Sequence, residues 1–122
     1  MKITKTEANG VNLAIVSGSE IFIGDVQSAL DLMATVQYES GCNRIIMNKS
    51  LFSDSFFDLK TRLAGEILQK FTTYQVKLAL VGDFSVYSSQ SLKDFIYECN
   101  HGNNFLFLPD EQQAIEKLSR LK

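Results

Sequence analysis

The sequence predicts an α/β fold with a mixed, mostly parallel sheet of about five strands and about four helices. Two observations carry that prediction. Short apolar runs of strand length, at residues 44–48, 76–81 and 105–108, alternate with longer segments whose apolar residues recur at helical spacing. Ahead of them, Asn9-Gly10 separates two further short runs. That dipeptide favours a tight hairpin, because both central positions need φ > 0. A hairpin followed by strand–helix alternation implies one sheet with right-handed crossovers. The 122 residues suit a single domain over 1–122.

Taken in order, residues 3–7 read as an exposed strand and 11–16 as its return partner. Gly18-Ser19 breaks the second strand, and Ile21-Phe22-Ile23 lays apolar surface ahead of a helix. Asp25 has the short acceptor side chain of an N-cap, and Val26, Ala29, Leu30, Met33 and Val36 follow at helical spacing. Gly41 stops that helix. The uninterrupted Ile45-Ile46-Met47 fits a strand buried on both faces. Ser55-x-x-Asp58 reads as a capping box opening the second helix, with Leu59, Leu63, Ile67 and Phe71 as one stripe. On its other faces Asp58, Arg62, Glu66 and Lys70 form i,i+4 pairs of opposite charge, worth about 0.2–0.5 kcal/mol each. Ser91-x-x-Asp94 opens a third helix carrying Leu92, Phe95, Ile96 and Cys99, with Gly102 as its left-handed stop. Pro109-Asp110 starts the last helix, capped by Asp110-x-x-Gln113, with Ala114, Ile115, Leu118 and Leu121 facing inward.

Composition narrows the function. Twelve basic residues stand against fourteen acidic ones, a net charge of −2, which is not the dense basic face that nucleic acid needs. The apolar runs fall far below the roughly 18 residues of a membrane span. The start, Met1-Lys2-Ile3-Thr4-Lys5, alternates polar and apolar and has no apolar leader core. The expectation is a cytoplasmic protein with neither nucleic acid nor membrane as a partner. Two cysteines are too few for a disulfide framework. Cys99 reads as core, on the apolar stripe of its helix, and Cys42 as partly exposed. One histidine, His101, supplies poorly both a zinc site and a Ser-His-Asp triad. Gly18, Gly24 and Gly82 are scattered and form no phosphate-cradling loop. No catalytic residue, cofactor or metal is expected.

In an open α/β sheet, ligands gather beyond the carboxyl ends of the strands. Asn48, Lys49, Asp54 and Asp83 are expected on that rim. Asp58, with Arg62, Glu66 and Lys70, reads as a solvated helix face, since catalytic carboxylates need burial or close coupling. Phe52, Phe56 and Phe57 cluster in one loop. They either plug the end of the sheet or form an exposed apolar patch for a partner. Phe84 lies on the facing loop, 82–88.

From Arg44 onward the order of features resembles the sulphate transporter and anti-sigma factor antagonist (STAS) domain. The matching pieces are Arg44 to Asn48, Asp54-Ser55, Leu78 to Gly82, and Phe105 to Pro109 with the helix behind it. The resemblance implies that Ser55 is a phosphosite switching contacts between partner proteins. That family usually follows the serine with small residues, where this chain has Phe56-Phe57-Asp58-Leu59. A phosphate on Ser55 would gain from a helix N-terminus. A plain N-cap role, worth about 1 kcal/mol, competes for the same oxygen. Residues 56–71, 76–85 and 92–98 are also similar to a small bacterial family of unknown function, DUF4180, a likeness that implies no activity. The expectation is a non-enzymatic regulatory or protein-interaction module. Its contact surface is the 48–58 loop with the 82–88 loop, and its partner is another protein or a second copy. The alternative is a small-molecule binder or enzyme using Asp54, Asp58 and Asp83 on the same rim.

Overall fold

Strand β1 (Lys2–Ala8) turns at Asn9 and Gly10, with φ of 51° and 77°, and returns as β2 (Val11–Ser17). The computed structural model describes residues 1–122. Beyond the hairpin come α1 (Val26–Ser40), β3 (Arg44–Asn48), α2 (Leu63–Thr73) and β4 (Lys77–Val81), then α3 (Gln90–Asn100), β5 (Phe105–Leu108) and α4 (Glu111–Arg120). The five strands lie in one sheet in the order β1-β2-β3-β4-β5. The first pair is antiparallel and the others are parallel. The expected α/β class, hairpin and mostly parallel sheet are all present.

The apolar runs are continuous because both faces of the sheet are covered. Ala14, Val16, Ile45, Met47, Leu78, Leu80 and Phe107 point to the face that α1, α2 and α3 cover. Their neighbours Leu13, Ile46, Ala79, Leu106 and Leu108 point the other way, onto Ala114 and Leu118 of α4. Each new strand joins on the same side of its predecessor, so crossovers of one hand stack three helices on one face. Only α4, which follows the last strand, folds back across the other.

Local signals set several boundaries. Asp25 accepts from the Ser28 amide at 2.7 Å while the Asp25 amide donates to Ser28 Oγ at 3.1 Å, a reciprocal cap for α1. Gly41 ends α1 at φ 69°. Asp110 accepts from the Gln113 amide at 2.8 Å and starts α4.

Four expectations are corrected. The second helix starts at Leu63, behind Arg62 at φ 64°, rather than at Ser55. Asp58 and Arg62 therefore lie outside it, and the expected charge pairs along 58–70 do not close; the only ion pair is Glu116–Arg120. The third helix is capped by Ser89, whose hydroxyl accepts from the Leu92 amide at 3.2 Å, two residues before the expected Ser91. Gly102 is not left-handed, because the helix ends differently. The Asn100 amide donates to Phe107 O at 3.1 Å and accepts from Phe107 N at 2.7 Å, tying the helix end to β5. Cys42 is buried rather than partly exposed, while Cys99 is partly buried against the core.

Candidate functional site

Four rim residues meet at the carboxyl ends of β3 and β4. The Asn48 side chain accepts from the Ser50 amide at 2.9 Å and starts a short 3-10 turn, Lys49–Leu51. Gly82 follows β4 at φ 153°, and a β-carbon there would stand 2.8 Å from Lys49 Cγ. The lysine stem thus lies across a surface only glycine leaves open. Its ammonium donates to Asp83 O at 2.9 Å and sits 4.7 Å from the centroid of the Tyr87 ring, a cation–π contact. The Asp83 carboxylate accepts from both the hydroxyl and the amide of Ser85, which hold it below its ordinary pKa. Phe84 closes the group, its ring 5.3 Å from Phe107.

The 54–58 segment behaves otherwise. Asp54–Phe57 forms a 3-10 turn, not the start of a helix. Asp54 and Ser55 face solvent, and Ser55 Oγ meets only Ser53 Oγ, at 2.9 Å. Ser55 therefore caps nothing, and no α-helix N-terminus is there to favour a phosphate on it. Phe56 and Phe57 are 1% and 7% exposed. Phe56 packs 4.8 Å from Phe52 and 5.0 Å from Phe57, and Phe57 stacks on Tyr87 at 5.1 Å. The rings plug the end of the sheet, which corrects the exposed-patch reading. Phe56 meets Phe52 on one side, and Phe57 meets Tyr87 of the facing loop on the other, so each ring has its own partner in the core. We expect Ser55→Ala to cost less than about 0.5 kcal/mol and Asp25→Ala about 1 kcal/mol, read by urea denaturation. A Ser55 loss as large as that of Asp25 would restore the cap to Ser55.

Between residues 57–60 and 86–92 runs an open groove of about 620 Å³. Asp58 lines it, but its carboxylate accepts from the Lys60 amide at 3.2 Å and caps the turn Leu59–Thr61. Asp54, Asp58 and Asp83 do not converge: one faces water and two hold turns. No three of the His, Cys, Asp and Glu side chains lie close enough to share a metal ion. Burial, helped by Glu98, pushes the Cys99 thiol up to about 11, far from a reactive thiolate.

A second surface escaped the sequence reading. Leu30, Met33, Ala34 and Gln37 of α1, with Tyr74 and Val76 beyond α2, form an apolar hollow of about 440 Å³. Tyr38, one turn beyond Ala34, is 91% exposed, and Tyr74 is 62% exposed. The signal was present as Leu30, Ala34 and Tyr38 at i, i+4 and i+8, an apolar ridge beside the inward one. No charged residue lines the hollow.

Both surfaces fall within one family match. The family model described as Domain of unknown function (DUF4180) matches residues 8–118. The chain belongs to this family. No curated protein and no solved structure matches it. The DUF4180 match begins at the last residue of β1 and ends within α4, so it takes in the rim and the α1–α2 surface alike. No helix of this DUF4180 chain is long and apolar enough to cross a membrane.

Proposed function

We propose that this DUF4180 chain is a non-enzymatic interaction domain that associates with a second copy of itself through the α1–α2 surface. The reading rests on one observation: an apolar hollow with no charged lining, beside two tyrosines left mostly in water. Contiguous apolar surface of that kind marks contact sites, and tyrosine is enriched in them. A two-fold axis lays a surface against itself, so charges near the axis meet their own sign. An uncharged face escapes that repulsion, which favours a second copy over a charged partner.

The contact surface is therefore moved from the 48–58 and 82–88 loops, whose phenylalanines face inward. The resemblance of the sequence to the STAS domain favours a domain that works by contact. A ligand reading of the rim has less support, because Asp58 and Asp83 each hold a turn.

Sedimentation velocity tests the proposal. The chain is expected to sediment as a dimer, and Ala34→Arg and Tyr38→Asp, both at exposed positions, are expected to make it monomeric with unchanged circular dichroism. A wild-type chain still monomeric at about 100 μM, where an interface worth about 8 kcal/mol would be dimeric, overturns it.

A further inference from the structure

A polar pocket by the amino ends of β3 and β4, at the end of the sheet away from the rim, adjoins the apolar hollow and shares Val76 with it. It measures about 330 Å³, and its walls include Arg44, Lys77, Thr72, Gln75 and Asn104. Arg44 and Lys77 are register partners on adjacent strands, so their side chains leave the sheet from the same face. Like charges directly opposite one another destabilise a sheet. Here no acidic side chain relieves them. No acidic residue lines the pocket, and the one ion pair of the molecule lies on α4.

Neutral acceptors fix both cations in place. Arg44 Nη1 donates to Leu118 O at 2.6 Å and to Leu121 O at 2.8 Å. Lys77 Nζ donates to Asn103 O and to Asn104 Oδ1. The end of α4 offers Arg44 about half a negative charge, which leaves the pair net positive. Burial and the neighbouring guanidinium hold the Lys77 ammonium below its ordinary pKa. Only Nη1 of the guanidinium is engaged, so its other donors remain for a ligand.

Gln75 adds an independent sign. It sits at φ 58°, just past α2, where glycine is the low-cost residue. The chain carries there instead a side-chain amide on the wall of the pocket.

We infer that this pocket binds a small dianionic oxyanion of the phosphate class, held between Arg44 and Lys77 with amide donors from Gln75 and Asn104. A phosphate offers acceptors to both cations at once and matches the fork of a guanidinium. Lys122 supplies a third cation on the pocket wall.

The test is a titration of the ¹⁵N–¹H spectrum with sodium phosphate, against sodium chloride at matched ionic strength. Saturable shifts are expected at the backbone amides of Gln75, Lys77 and Asn104 with phosphate alone. Lys77→Gln is expected to weaken binding about tenfold, the loss of one charge-assisted hydrogen bond. Gln75→Gly relaxes the backbone, so it is expected to raise the unfolding midpoint while weakening phosphate binding. That opposition keeps the test decisive even if Lys77→Gln fails to fold. Equal shifts with chloride, no saturation by about 20 mM phosphate, or full affinity in a folded Lys77→Gln or Gln75→Gly would each overturn the inference.

Discussion

Phe56→Ala is expected to lower the stability of the fold by about 3–5 kcal/mol, the range for deleting a buried aromatic ring. The ring is almost fully buried and touches Phe52 and Phe57 at centroid distances of 4.8 and 5.0 Å. Such pairs add about 0.5–1.5 kcal/mol beyond area burial. Phe52 in turn carries the bridge to Ile23 that closes the approach to α1. Small domains have about 5–15 kcal/mol in total, so this one truncation removes a large share. Urea unfolding should show a lower midpoint with an unchanged slope. A loss below about 1 kcal/mol would mean that the 54–57 turn can reseat itself without the ring.

Gly82→Ala is expected to cost about 2–4 kcal/mol, combining backbone strain with overpacking. At φ 153° any side chain is strained, and the new methyl would stand 2.8 and 2.9 Å from Lys49 Cγ and Cδ. To make room the lysine stem must lift, which breaks its bond to Asp83 O and its approach to the Tyr87 ring. The two contributions separate in a double-mutant cycle with Lys49→Ala. Removing the stem abolishes the clash and leaves the backbone strain, so the double variant should cost less than the sum of the singles. Strict additivity would place the whole cost in the backbone.

How much of this was legible depended on how local each cause was. Asn9-Gly10, Asp25, Gly41 and Asp110 act within four residues of themselves, and each boundary they predict is present. The uninterrupted apolar strands also reported correctly that both faces of the sheet are covered. Ser55-x-x-Asp58 misled for a tertiary reason. Phe56 and Phe57 are both buried, and Phe57 stacks on Tyr87, thirty residues away, so packing rather than the local cap sets the conformation of this segment. Gly102 misled because Asn100, five residues from the next strand, ties the helix end to β5 instead.

The rim was half legible. Asn48, Lys49, Asp83 and Phe84 converge because two strand ends bring them together, whereas Asp54 and Ser55 face water. The α1–α2 surface was missed because one inward stripe was read from a helix that carries two apolar ridges. The Arg44–Lys77 pair was hidden for another reason. The two residues lie 33 positions apart in sequence, and only the register of β3 against β4 makes them neighbours.

The paired bonds from Asn100 bear on what the sheet can join. β5 is its last strand and is only four residues long. At Phe107 the outward amide and carbonyl, which a foreign strand would use to dock, are already occupied by the chain's own side chain. That takes the middle of the border out of use for templated growth. The remaining border is β1, seven residues long and exposed at Lys2 and Lys5, whose charges oppose stacking of one molecule on the next. Two different devices, a side chain acting as a false strand at one end and repulsion at the other, thus oppose the recruitment of further strands by a sheet rich in leucine and isoleucine.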